Sequence, residues 1–158
     1  MDSKVEMFTR RARTEIDSAV ILFAASENKE LKGKFNVYEE STFYSGVISH
    51  SYYSIFYGAK AMLLTKNIET DAPEVHKKTL DKFKEVFIDT GLLDTKLLII
   101  YQALIVRAEA LLEIYKTEKK KRGDFTYNTI PQANRYPAEE SIKHAKDFFK
   151  HCDAYLSH

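Results

Sequence analysis

Residues 44–64 read YSGVISHSYYSIFYGAKAMLL, a stretch in which apolar side chains recur every three or four positions. The stripe consists of Tyr44, Ile48, Tyr52, Ile55, Ala59 and Met62, broadened by Phe43, Val47, Phe56 and Leu63. A stripe this wide can contact two neighbouring helices, and small residues such as Gly46 and Gly58 allow close helix approach. The pattern predicts a central helix that runs from about Glu39 to Lys66.

Three further long helices and one short helix are predicted around this segment. The long ones run from about Ser3 to Ser26, from Asp94 to before Gly123 and from Pro137 onwards, and the short one runs from Pro73 to Gly91. The polar segment NKELKGKFNVY, residues 28–38, is predicted to be a loop. We find no repeat or linker, so residues 1–158 are predicted to form one domain. The fold class predicted is all-α, an up-and-down four-helix bundle with a short additional helix.

The composition limits the classes of function. The chain has 24 Lys and Arg against 23 Asp and Glu, so it lacks the positive field of general nucleic-acid binders and any RNA contact must be local. Its one cysteine, Cys152, cannot form an internal disulfide, which fits a reducing compartment. The amino terminus has no apolar signal segment, and no apolar run is long enough to span a membrane. We therefore expect a cytoplasmic protein without membrane contact.

The longest predicted loop contains the leading candidate site, which begins with RGDFTY at residues 122–127. Arg122 offers a planar, permanently charged fork that suits phosphate, Asp124 could orient it, and Tyr127 supplies a hydroxyl and a stacking face. A purely structural interpretation is also open. In that interpretation Gly123 caps the helix, Arg122 pairs with Asp124, and the aromatic rings fill the end of the bundle.

Two further groups of residues are candidates for nucleotide or RNA binding. Lys121 ends a run of lysines that could contact phosphates, although cations at a helix end commonly complement the helix dipole in solvent. Tyr53 and Tyr57 belong to an aromatic cluster that spans more than one face of the central helix. They could stack on bases, but we favour a dimer interface for this cluster.

Standard catalytic and metal-binding patterns are absent from the sequence. The five histidines form neither an HExxH nor a Glu-x-x-His pair, and Glu109 and Glu113 are predicted to be solvated because no matching histidine set accompanies them. There is no phosphate-binding Gly-rich loop and no nucleophile elbow. No metal and no cofactor is predicted.

The order of YSGVISHSYYSIFYGAKAMLL, then VHKK, then RGDFTYN resembles the HEPN family, in its branch of small prokaryotic proteins. The resemblance extends from about Thr42 to the end of the chain. It implies a helical bundle of four or five helices that commonly dimerises and is often encoded with a minimal nucleotidyltransferase partner. It also implies a relation to metal-independent ribonucleases and toxins.

The family's catalytic signature is an Arg, then four to six residues, then a His. Arg122 stands at the position of the Arg, whereas Tyr127 stands where the His is expected, and no histidine lies between Arg122 and His144. A tyrosine, with a pKa of about 10, is a poor base near neutral pH. The resemblance therefore implies a noncatalytic module that dimerises and binds a nucleotide, RNA or a nucleotidyltransferase partner through Arg122 to Tyr127.

Two alternatives stay open. One is a metal-independent endoribonuclease toxin of a toxin–antitoxin system, in which Asp124, Tyr127, or a histidine such as His50 or His76 transfers the proton. The other is a structural adaptor whose partner binds the aromatic side chains of the central helix.

Overall fold

The computed structural model describes residues 2–120 and 135–158, and these residues form helices and no strand. The helices are α1 Ser3–Glu27, α2 Lys29–Lys34, α3 Tyr44–Leu64, α4 Val75–Phe83, α5 Lys96–Lys120 and α6 Arg135–Leu156. A π-helical turn, Lys84–Ile88, continues α4. The four long helices α1, α3, α5 and α6 build the bundle, which confirms the predicted all-α fold class.

Helix α3 lies at the centre of the bundle and packs against α1, α5 and α6. It runs antiparallel to α1, because Ser54 donates a hydrogen bond of 2.9 Å to the Ala12 carbonyl while Tyr44, at the other end, donates to the Glu27 carboxylate. The small residues predicted to allow close approach do so. A Cβ atom on Gly46 would lie only 2.9 Å from Cδ1 of Leu22 in α1, whereas one on Gly58 would make an ordinary contact of 3.6 Å with the Cys152 sulfur.

The largest part of the core lies between α3, α4, α5 and α6. Its fully buried side chains include Ile55, Met62, Leu63, Phe83, Phe87, Leu97, Tyr101, Leu104 and Phe148. Burial of each such side chain contributes about 1.5–3 kcal/mol. The rings of Tyr101 and Phe148 meet edge to face with their centroids 5.8 Å apart, which fixes α5 against α6.

The predicted loop 28–38 contains a helix, so that prediction is wrong. Asn28 caps α2 by accepting a hydrogen bond of 2.9 Å from the Leu31 amide. The Lys32 ammonium is buried and donates to the carbonyls of Ser26, at 3.2 Å, and Ser41, at 2.9 Å. These bonds join α2 to the end of α1 and to the segment before α3. The local sequence pattern could not predict α2, because these bonds connect it to residues outside the segment.

Three predicted helix starts also differ from the structure. Helix α4 begins at Val75, because Glu74, predicted with Pro73 to form its first turn, has a positive φ of 55°. Helix α3 begins at Tyr44 instead of Glu39, because the Phe43 amide donates a hydrogen bond of 2.7 Å to the Ser26 hydroxyl, outside its own helix. Helix α6 begins at Arg135, before Pro137, and Arg135 donates to the Glu27 carboxylate of α1. At α5 the predicted start is confirmed, since the Asp94 carboxylate accepts a hydrogen bond of 2.8 Å from the amide of Lys96.

Candidate functional site

A cleft of about 540 Å³ opens between α3, α4 and α5. Its lining consists of Tyr52, Tyr53, Glu74, His76, Lys77, Leu80, Ile105, Ala108 and Glu109. Ligand-binding clefts commonly have volumes of about 300–1,000 Å³ and combine apolar walls with a few polar groups. This cleft has the same combination, because aromatic and aliphatic side chains surround an imidazole, an ammonium and two carboxylates. We therefore take it as the leading candidate site among the residues that the structure describes.

His76, the second residue of α4, lies among aromatic rings of α3. Its ring stacks on Phe56 with 4.3 Å between centroids, and the rings of Tyr52 and Tyr53 lie 5.7 and 5.9 Å away. The Tyr52 hydroxyl is 2.7 Å from Nδ1 of His76, within hydrogen-bond distance. Because these three residues of α3 occupy adjacent turns, they hold the start of α4 at the mouth of the cleft.

The environment favours the neutral form of both partners of this hydrogen bond. Burial, helped by the positive charge of Lys60, lowers the pKa of His76. Burial also raises the pKa of Tyr52, with smaller contributions from Tyr53 and from the carboxylate of Glu109. The Tyr52 hydroxyl can donate to Nδ1 or accept from it, so Nε2 of His76 is a donor in one tautomer and an acceptor in the other.

The charged side chains around the cleft have no partner within the described part of the fold. Glu74, Lys77 and Glu109 are exposed, and none of them forms a hydrogen bond or ion pair with another described residue. Lys60, behind His76, differs from them. It donates to the Thr70 carbonyl at 3.2 Å and lies 5.6 Å above the ring of Phe56, so the fold already uses it.

The aromatic row continues from the cleft towards α1. The rings of Tyr53 and Tyr57 stack at 6.2 Å, and the Arg11 guanidinium lies 4.7 Å above Tyr57. Tyr53, 39% exposed, borders the cleft, whereas Tyr57 is half-buried against Arg11 and the ring of Phe8, 6.0 Å away. The structure thus brings the two predicted binding tyrosines onto one surface, but only Tyr53 lines the cleft.

The predicted residues Lys121, Arg122, Asp124 and Tyr127 lie outside the described residues. Helix α5, which supplies Ile105 and Glu109 to the cleft, is described as far as Lys120.

Other histidines lie against neighbouring helices or their own. His50, proposed from the sequence as an alternative proton carrier, pairs at 2.5 Å with Glu15 of α1. Nδ1 of His144 accepts a hydrogen bond of 3.0 Å from Arg107, and burial first and that arginine second lower the pKa of His144. Of the two alternatives His50 and His76, only His76 lines the cleft.

Sequence reasoning missed the part of the site that depends on how α4 and α5 pack. Glu109 was predicted to be merely solvated; it is exposed, but it also borders the cleft. The spacing of Ile105, Ala108 and Glu109, one turn apart on one side of α5, could have indicated a shared surface. No periodicity could have placed His76 against Phe56.

The described residues contain neither a candidate membrane-spanning helix nor a candidate metal-binding cluster. No described helix combines the length and apolarity needed to cross a membrane. Among residues 2–120 and 135–158, no three histidine, cysteine or carboxylate side chains are arranged to hold a metal ion.

Comparison with known proteins gave one informative match. No family model and no solved structure matches the chain. A protein of Methanocaldococcus jannaschii named "Putative toxin MJ0142" is 44% identical to it over 69 residues. The match covers 44% of this chain and 44% of that protein, so the chain spans less than half the length of the relative it matches.

Proposed function

We propose that this chain is a toxin-like helical module of the HEPN type that binds RNA or a nucleotide without cleaving it. The observation that carries the proposal is the cleft between α3, α4 and α5, where aromatic rings lie beside charged groups that have no described partner. The Arg122 to Tyr127 segment is proposed to contribute to the same binding surface.

The cleft has the chemistry that binding of a single-stranded nucleotide requires. Bases of single strands are recognised by stacking on aromatic side chains and by hydrogen bonds to their edges. Tyr52 and Tyr53 supply rings, while His76 and Glu109 supply hydrogen-bonding groups. The cations Lys77 and Arg11 lie along the same aromatic surface and can attract phosphate.

Arg122 strengthens this proposal through its chemistry. A guanidinium binds two phosphate oxygens at once, and Tyr127 adds a second stacking ring. The absence of a histidine at Tyr127 is the reason for proposing binding without catalysis.

The toxin-like role, the HEPN family and the partners belong to the same proposal. The relative from Methanocaldococcus jannaschii carries a toxin name. The resemblance to the HEPN family implies a nucleotidyltransferase partner. We therefore propose a homodimer that associates with a nucleotidyltransferase partner. Co-purification with the product of a neighbouring nucleotidyltransferase gene, and light scattering of the purified chain, test these two associations.

Titration of the purified chain with nucleotides and short RNAs tests the binding surface. Stacking on one aromatic side chain contributes about 1–3 kcal/mol per base, so Tyr53→Ala should weaken binding by about 5- to 150-fold. Tyr38→Ala is the matched control, because Tyr38 is 73% exposed and lies between α2 and α3, outside the cleft. Equal affinities of these two variants would remove the cleft from the proposal, and an Arg122→Ala variant that binds normally would remove the segment.

A metal-independent ribonuclease is the second candidate function, and the observation that favours it is the position of His76 in the cleft, with its Nδ1 beside the Tyr52 hydroxyl and its pKa lowered by burial. A neutral imidazole can accept and return a proton near pH 7, and Tyr52 is placed to hold its ring. Cleavage of RNA in EDTA that is lost in both His76→Ala and Arg122→Ala would favour this function. Intact RNA after long incubation with folded protein would favour binding alone.

A further inference from the structure

We propose that the cleft between α3, α4 and α5 is a guanine subsite, in which the Glu109 carboxylate accepts hydrogen bonds from the base. This inference rests on the proposed binding of RNA or a nucleotide and names the base that the site selects.

The walls of the cleft suit the flat faces of a nucleobase. Helix α3 presents the rings of Tyr52 and Tyr53, and α4 and α5 present the aliphatic side chains of Leu80 and Ile105 together with Ala108. Aromatic stacking tolerates any base, since every base has a π face. The walls alone therefore give affinity without selecting among the four bases.

Selection must come from the polar groups, and the carboxylates are the distinctive ones. An ionised carboxylate accepts hydrogen bonds and donates none. Guanine presents two parallel N–H donors on one edge, N1–H and the N2 amino group, which match the two oxygens of a carboxylate in the way that a guanidinium does. Adenine and cytosine place a ring-nitrogen acceptor beside their amino group, and uracil has one N–H between two carbonyl oxygens, so each of them sets a lone pair against the carboxylate.

Of the two carboxylates, Glu109 is the better placed. It lines the cleft one turn after Ile105 of α5, and its negative charge is one of the causes that raise the pKa of the Tyr52 hydroxyl. Glu109 is exposed and has no hydrogen bond or ion pair with another described residue, so it can accept both donors of guanine.

The cleft is lined by charges of both signs. The carboxylates of Glu74 and Glu109 suit the N–H donors of a base, while Lys77 can attract the phosphate of the nucleotide. A lysine or arginine side chain of a protein partner would suit the carboxylates too, but Lys77 and the nearby Lys60 oppose a cation. A guanine nucleotide complements both charges, because the N–H donors of its base suit the carboxylates and its negative phosphate suits the lysine.

Fluorescence titration with four pentaribonucleotides, UUGUU, UUIUU, UUAUU and UUUUU, tests the inference. Inosine differs from guanosine only by the missing N2 amino group, so it removes one of the two proposed hydrogen bonds. We expect UUGUU to bind about tenfold more tightly than UUIUU, because a hydrogen bond to a charged group is worth about that factor or more. We expect the Glu109→Gln variant to lose most of this preference. Glu40→Gln, an exposed substitution outside the cleft, should retain it.

Failure of the inference and failure of the proposed function give different results. If the wild-type protein binds all four pentamers equally, or if Glu109→Gln keeps the preference for UUGUU, the guanine subsite is wrong while RNA binding stands. If none of the pentamers binds, the proposed function fails as well. Binding of N-acetylarginine amide that Glu109→Gln abolishes, without binding of UUGUU, would instead assign the cleft to a protein side chain.

Discussion

The α1–α3 interface and the cleft between α3, α4 and α5 both use polar side chains of α3, but in different ways. At the interface Ser54 is buried and donates to a carbonyl of α1, and His50 pairs with Glu15. At the cleft Tyr52 lies within hydrogen-bond distance of His76, while Lys77 and Glu109 form no hydrogen bond or ion pair with a described residue. The comparison teaches that a polar group with a partner inside the chain stabilises the fold, whereas one without a partner is available to a ligand.

A substitution at the interface should therefore destabilise the fold far more than one at the cleft. Ile48 is 2% exposed between α1 and α3, and removal of a buried isoleucine side chain to alanine costs about 2–5 kcal/mol. Glu109→Gln, at the exposed rim, should change the free energy of unfolding by less than about 0.5 kcal/mol. Urea unfolding of the two variants measures both values. Similar losses would show that the cleft rim is as much a part of the folding core as the interface.

The Ser54 hydroxyl is the next way to test the comparison. Ser54→Ala removes its bond to the Ala12 carbonyl and should lower the free energy of unfolding by about 1 kcal/mol. Ser45→Ala, at an exposed position of the same helix, corrects for the better helix propensity of alanine. An equal effect of both substitutions would mean that the hydrogen bond contributes nothing.

Removal of the Tyr101 hydroxyl is expected to have the opposite effect on the free energy of unfolding. Its hydroxyl is buried and has no hydrogen-bond partner among the described residues, so Tyr101→Phe should leave stability unchanged or raise it by up to about 1 kcal/mol. Tyr44→Phe, which removes a hydroxyl that donates to Glu27, should lower stability instead. Thermal unfolding of the two variants compares them directly, and a clear loss in Tyr101→Phe would reveal a partner for its hydroxyl.

The smallest expected effect is a dependence of stability on pH. The pKa values of His76 and His144 are lowered in the folded chain, mainly by burial. As pH falls below about 6.5, the usual histidine pKa, the unfolded chain binds more protons than the folded one, and stability should decrease. The effect is small because both rings are partly exposed and therefore screened by solvent.

Urea midpoints between pH 7.5 and pH 5 measure this dependence. His76→Phe, which keeps an aromatic ring beside Phe56, should flatten it, whereas His158→Gln at the exposed carboxyl-terminal end should not. A steeper dependence of stability on pH in His76→Phe would contradict the expected contribution of His76.

The sequence predicted the bundle because its information is local and periodic. The wide stripe and the small residues of α3 indicated a central helix, and Asp94 indicated the start of α5, and both predictions are confirmed. Helix α2 was missed because its stabilising bonds run from Lys32 to Ser26 and Ser41, outside any periodic pattern. The late start of α3 has a similar cause in the bond between Phe43 and Ser26.

The candidate site likewise contains residues that the sequence could predict and residues that it could not. Tyr53 was predicted as a binding residue, because aromatic side chains on several faces of a helix cannot all be buried, and it borders the cleft. The contribution of Glu109 depends on how α5 packs, and that of His76 depends on how α4 packs onto α3. Local sequence patterns could not indicate either contribution, because both depend on tertiary packing. The roles of Arg122 and Tyr127, and the dimer interface, stay predictions.

Cys152 gives the bundle a built-in reporter of its own opening. The thiol is buried where α6 approaches Gly58 of α3, and burial raises its pKa, so it carries no thiolate near neutral pH. A thiol reagent can therefore react only when the packing around Cys152 opens. Because the chain has no other cysteine, the rate of reaction under native conditions reports on this opening at one sulfur, without a cysteine being introduced by mutation.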